Sequence, residues 1–101
     1  MKILWTREAF RMLAEIEEYI ARDTAERAAK FVDEIVAHAE TVLPGGPRIG
    51  RVVPEISNPG IRELLSKNYR IVSRIRKGAV EILTVFEGHR LLRIDEFSAE
   101  K

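Results

Sequence analysis

Four arginines, Arg51, Arg62, Arg70 and Arg74, with the carboxylate Glu55 and the imidazole His89, are the side chains of this sequence best suited to chemistry on an anion. A guanidinium keeps its charge at any physiological pH and offers a planar fork of donors that matches the two oxygens of a phosphate or a carboxylate. Around a phosphodiester, the arginines would stabilise the negative charge that develops in the transition state while Glu55 or His89 moves a proton. That is the layout of a metal-independent ribonuclease. The same arginines could equally dock a peptide carboxylate or an acidic helix with no catalysis at all. A third reading leaves them as decoration of an exposed sheet face.

Other chemistries lack their residues. With no cysteine there is no disulfide framework and no thiolate metal site. His38 and His89 are the two histidines, and no carboxylate stands at a spacing that would recruit either to a metal. Gly45-Gly46 and Gly50 lack the strand–glycine–helix context of a phosphate-binding loop, and no nucleophile has an evident base. No cofactor and no metal are expected. His38 falls inside a helical stretch and reads as a surface or boundary residue, whereas His89 ends the last strand beside Gly88 and Arg90, near the arginines.

The elements that must position these groups follow from periodicity. From Tyr69 to Arg76 a period of two sets Tyr69, Ile71, Ser73 and Ile75 on one face and Arg70, Val72, Arg74 and Arg76 on the other. Lys77-Gly78 reads as the centre of a type I′ turn, because Gly78 supplies a positive φ. The resulting register sets Arg76 opposite Ala79, Arg74 opposite Glu81, Val72 opposite Leu83 and Ile71 opposite Thr84. Ile75, Val80, Ile71, Ile82, Tyr69 and Phe86 would then share a face that needs an apolar cover, and the arginine face would be free to meet an anion.

That cover is predicted from the first half of the chain. Met1 to Trp5 fits a first strand, Thr6 an N-cap, and Ala9, Phe10, Leu13, Ile16 and Ile20 recur at helical spacing. Asp23 with Glu26 has the form of a capping box for a second helix, whose stripe is Ala28, Val32, Ile35, Ala39 and Val42, widened by Phe31, Val36 and Leu43. The link is short enough to make the helices an antiparallel hairpin. The expected core is Phe10, Leu13, Ile16, Ile20, Val32, Ile35, Ile71, Ile75, Val80 and Ile82. All four prolines and four of the six glycines lie between Pro44 and Gly60, which predicts a long functional loop carrying Arg48, Arg51 and Glu55. Ile61 to Leu64 is a short strand, and the acidic tail 95–101 is expected to fray.

At 101 residues one domain is expected, spanning 1–101. The 46% hydrophobic and 33% charged composition is that of a soluble globular protein, and no apolar run approaches a membrane span. The start, Met1 to Glu8, lacks the features of a secretory signal, and with no cysteine this suits a reducing cytoplasm. The net charge of +1 hides a segregation: residues 1–43 hold 6 Lys and Arg against 9 Asp and Glu, residues 44–94 hold 10 against 4, and residues 95–101 hold 1 against 3. A basic second half favours phosphates or an acidic protein segment as partner.

At Gly50 to Glu55, Ile61 to Leu64, Asn68 to Ile75 and Ile82 to Leu92 the sequence resembles the RelE/ParE superfamily of type II toxin–antitoxin toxins. The resemblance covers nearly the whole chain. It implies an α+β fold, with an N-terminal strand, an antiparallel helical hairpin and a three-strand antiparallel meander forming one sheet covered on one face by the helices. It also implies a cytoplasmic toxin held inactive by a cognate antitoxin. RelE-like members cut ribosome-bound mRNA with basic residues on the sheet and a C-terminal tyrosine or histidine–tyrosine pair, whereas ParE-like members inhibit DNA gyrase. Here Arg90 follows His89 where the nuclease branch favours tyrosine, which sets the chain nearer the ParE-like branch. On the nuclease branch Glu55, Arg62, Arg70 and His89 would carry the chemistry. For binding a target or an antitoxin the candidates are Arg51, Arg70, Arg74, Arg76 and Arg90.

Overall fold

Thr6 ends a strand, starts a helix and ties both to the far end of the chain. Its hydroxyl accepts from the Ala9 N–H at 3.2 Å and donates to the Ile82 carbonyl at 2.7 Å, while its own N–H donates to the same carbonyl at 3.1 Å. One small side chain thus caps a helix and anchors it to the sheet. The structure, a computed structural model, describes residues 1–88. Its elements are β1 (Lys2–Trp5), α1 (Arg7–Ala21), α2 (Ala25–Val42), β2 (Arg51–Val52), β3 (Ile61–Ser66), β4 (Tyr69–Arg76) and β5 (Ala79–Glu87). They form an α+β fold with one five-stranded sheet in the order β1-β5-β4-β3-β2. The sheet is mixed: β1 runs parallel to β5, and the remaining pairs are antiparallel.

The expected helical hairpin and three-strand meander are present, with three differences in detail. Thr24, not Asp23, caps α2, its side chain accepting from the Arg27 N–H at 3.0 Å. The Asp23 N–H instead donates to the Ile20 carbonyl at 3.0 Å and so belongs to the end of α1. The proline- and glycine-rich loop contains the short edge strand β2, where Gly50 brings the backbone so close to β3 that a β-carbon would overlap the Glu63 carbonyl. The β4–β5 hairpin, finally, has a bulge.

Lys77 and Gly78 have φ of 53° and 76°, as a type I′ turn requires, and Arg76 faces Ala79 and Arg74 faces Glu81 as expected. Between Val72 and Ser73 the register shifts: Ser73 pairs with Ile82 but Val72 with Thr84 and Ile71 with Val85, leaving Leu83 as the extra residue. A one-residue slip exchanges the faces of everything beyond it. Phe86, expected under the helices, therefore lies on the opposite face, across from Arg70, and Val85 takes its place.

Two cores result. Leu13 and Ile16 of α1 and Val32, Ile35 and Ala39 of α2 cover Ile71, Val80, Ile82 and Val85 on one face of the sheet. On the other face Val72, Leu83, Ile61 and Phe86 pack with Met12 and with Val53 and Ile56 of the loop. The arginine-bearing face is thus covered in part by the loop. Of the expected core, Phe10 is 59% exposed, lying beside Trp5 with ring centroids 6.4 Å apart, and Ile20 and Ile75 are half-buried. Met12 is buried instead. His89, expected to end the last strand, Arg90 and the acidic tail lie outside the described residues.

The packing separates two isoleucine and phenylalanine positions that the sequence treats alike. Ile35→Ala should destabilise the chain by about 2–5 kcal/mol, as large-to-small changes in a closed core do. Phe10→Ala should cost no more than about 1 kcal/mol, its ring meeting solvent and one neighbour. Urea unfolding monitored by circular dichroism checks both, and equal losses would refute the stripe assigned to α1.

Candidate functional site

Strand alternation on β3 sends Ile61, Glu63 and Leu65 to the loop-covered face, where the register sets them opposite Arg74, Val72 and Arg70. Arg51 of β2 stands across from Glu63 on the other side. Glu63 is therefore enclosed by apolar neighbours and two guanidiniums, and its side chain has 0% exposure. An unpaired carboxylate could not remain ionised there. Arg70 Nε donates to Glu63 Oε1 at 2.6 Å, and Arg51 Nε donates to Glu63 Oε2.

Arg70 also reaches the loop. Its two terminal nitrogens donate to the two oxygens of Glu55 at 2.8 and 2.7 Å, the fork-to-fork geometry that a guanidinium and a carboxylate favour. The guanidinium lies 4.8 Å from the centre of the Phe86 ring, which the bulge delivered to this face. Donation to Glu55, with the hydrogen bond to Glu63 and the charges of both carboxylates, outweighs burial and holds Arg70 above its already high ordinary pKa. Arg51 differs: its Nε is engaged, yet the side chain is 60% exposed and presents its outer nitrogens to solvent.

Three of the candidate residues, Arg51, Arg70 and Glu55, are thus joined in one network with Glu63, and the other described candidates, Arg62, Arg74 and Arg76, lie apart. Arg62 Nε donates to the Pro59 carbonyl at 2.8 Å and one terminal nitrogen to the Gly50 carbonyl at 3.2 Å, stapling the two ends of the loop. Arg74 pairs across the hairpin with Glu81 at 2.8 Å, half-buried. Arg76 is exposed at the hairpin end. The arginine row is consequently no bare anion-binding surface: its inner members face carboxylates, and the exposed positive groups are at its margin. Glu63 was not foreseen in this role. Its signal was a charged residue at the centre of the alternating Ile61–Glu63–Leu65 set, on the same face as Arg70.

On the helix side, His38 Nδ1 and Ser66 Oγ share a hydrogen bond of 2.9 Å that joins α2 to β3, in keeping with a boundary residue. Tyr69 meets Phe31 edge-on at 5.6 Å. Its phenol is pushed up chiefly by burial, then by the nearby Glu87 and Tyr19. Among the described residues no three His, Cys, Asp or Glu side chains are grouped to hold a metal, and no helix is long and apolar enough to cross a membrane.

Two measurements test this site. Arg70→Met should cost about 3–5 kcal/mol because it leaves Glu63 and Glu55 without their main cation, whereas Arg74→Met, at a half-buried pair near the end of the hairpin, should cost less, since Glu81 keeps some contact with water. For Tyr69 the folded pKa lies above the unfolded one, so its contribution to stability is complete below pH ~10 and lost as pH rises through the folded value. Tyr69→Phe should therefore flatten the fall in stability above pH ~10 and remove the late-developing phenolate absorbance.

The sequence matches the family model of the ParE toxin of type II toxin–antitoxin system, parDE, over residues 3–92. No curated protein sequence matches. Among solved structures, a chain of the chromosomal ParDE TA system from P. aeruginosa is similar, with a TM-score of 0.72 and 26% identity, covering 86% of this chain and 95% of that one.

Proposed function

Because the chain belongs to the ParE toxin family of type II toxin–antitoxin systems, we propose that it arrests growth by inhibiting DNA gyrase, and that its margin of exposed arginines meets gyrase or the antitoxin that restrains it. A type II toxin is neutralised by a protein, so one surface of this chain serves an antitoxin. Arg51, Arg76 and Arg90 are the candidates for its salt-sensitive contacts, with Arg70 and Arg74 supporting from within.

The observation that carries the choice of target is the pairing of Arg70 with Glu55. A ribosome-dependent ribonuclease would need Arg70 directed at a phosphate and Glu55 able to take the proton of a ribose hydroxyl. Here both oxygens of Glu55 accept from Arg70, and Arg70 is held over Phe86 besides. Arg62, the other arginine of the nuclease reading, bonds to backbone carbonyls of the loop. These groups hold the loop on the sheet. Gyrase inhibition asks for a protein-binding surface and no proton transfer.

Purified chain, freed of antitoxin, should inhibit DNA supercoiling by gyrase and leave ribosome-bound mRNA intact. His89→Ala and Glu55→Gln, if folded, should still inhibit. Cleavage of ribosome-bound message by the native chain, lost in His89→Ala, would overturn the gyrase reading in favour of the nuclease. A chain whose expression without antitoxin leaves growth unchanged would be an antitoxin-binding module and no active toxin.

A further inference from the structure

Over most of the loop-covered face of the sheet, carboxylates answer the cations: Arg51 and Arg70 face Glu63, and Arg74 faces Glu81. At the end of that face beside the β4–β5 turn the pattern breaks. The register sets Arg76 of β4, Ala79 of β5 and Lys2 of β1 side by side in one row. Their neighbours Val80 and Ile3 pack beneath the helices, so the row itself looks the other way. Lys77 follows Arg76 in the turn. All three cations are exposed, and none has a carboxylate among the described residues at ion-pair distance. Between Arg76 and Lys2, where an acid would neutralise both as Glu81 neutralises Arg74 one row along, the chain has Ala79. Like charges gathered around a small residue repel one another and add nothing to the fold. Local charge pairing abandoned without gain to stability is what a binding site shows.

Charge density narrows the guest. Neighbouring strands lie about 4.8 Å apart, so the backbones of Lys2 and Arg76, two strands apart, are separated by about 10 Å, and their long side chains can converge above Ala79. Lys77 adds a third charge at the turn. An extended acidic peptide presents a carboxylate on one face only every ~6.8 Å, one or two over that span. Duplex DNA carries a charge for about every 1.7 Å of its axis, about six over the same span. The duplex matches three crowded cations and the peptide does not. A guanidinium fork and two ammonium groups suit phosphate oxygens, and the row and its turn hold no amide or hydroxyl side chain to read a base edge. The contact is therefore with the backbone of the DNA and carries no sequence preference.

We propose that this end of the sheet grips the phosphate backbone of duplex DNA through Lys2, Arg76 and Lys77, with Ala79 leaving room for the phosphate between them. The inference goes beyond the gyrase reading, because the partner is the DNA itself, whichever enzyme holds it.

The test titrates the purified full chain, freed of antitoxin, into short fluorescent DNA duplexes of two unrelated sequences and follows anisotropy. Both duplexes should bind alike, and affinity should fall about forty-fold between 50 and 200 mM salt, the loss that three neutralised phosphates bring. Lys2→Gln, Arg76→Gln and Lys77→Gln should each reduce the slope of log affinity against log salt by about 0.9. Ala79→Glu supplies the missing acid between Lys2 and Arg76, so it should abolish binding while the urea midpoint of unfolding stays at or above that of the native chain. Should Ala79→Glu fail to fold, the double variant Lys2→Gln/Arg76→Gln, changed only at exposed positions, gives the same reading and should lose most of the binding. Undiminished binding by that double variant would overturn the proposal. So would poly-glutamate bound as tightly as DNA, which would make the row a protein contact, or an RNA duplex bound more tightly than DNA. The titration contains no gyrase, so its failure and that of the gyrase reading are told apart.

Discussion

A carboxylate without exposed surface, Glu63, is the constraint around which the loop-covered side of the sheet is arranged. An ionised group there needs cations at hydrogen-bond distance, and the sheet register supplies two, one from the edge strand and one from the central hairpin. Once Arg70 turns toward Glu63, its remaining donors reach Glu55 and draw the loop onto the strand surface, where Val53 and Ile56 close the second core. Arg62 fastens the same loop from outside. Charge pairing and apolar burial thus reinforce one another: the loop keeps water from the ion pairs, and the ion pairs hold the loop over the apolar residues.

The bulge in the β4–β5 hairpin makes this possible. Without it, Phe86 would turn to the helices and Arg70 would lose the ring beneath its guanidinium. With it, β5 is apolar toward both sides, Ile82 and Val85 under the helices and Leu83 and Phe86 under the loop. A strand covered on both faces is what a short apolar run such as Ile82–Phe86 signals.

Strict alternation across a tight turn finds the hairpin and its first four pairs but cannot see an inserted residue, which is why Phe86 was expected on the wrong face. The helices were legible because their stripes repeat over several turns. Phe10 misled because its spacing fits the stripe of α1 although its position in the first turns sets it beside Trp5 at the surface. The arginines were legible as a group, and Glu55 with them. Their state was not: whether a guanidinium faces water or a carboxylate depends on a loop whose path proline and glycine leave open, and on Glu63, whose burial arises only when β2 and β4 flank β3. The cap of α2 shows the same limit at small scale, since Asp23 and Thr24 are both good capping residues and backbone geometry chose between them.

The parallel seam between β1 and β5 has a consequence for how the protein is made. Lys2 pairs with Ala79 and Trp5 with Ile82, and Thr6 holds the start of α1 to that last carbonyl. Strand β1 therefore waits for β5, made more than seventy residues later, and the helices have no sheet to lie on until β4 and β5 have emerged from the ribosome. A nascent chain that stops short of β5 lacks the seam, so the finished surface exists only once that strand has been added.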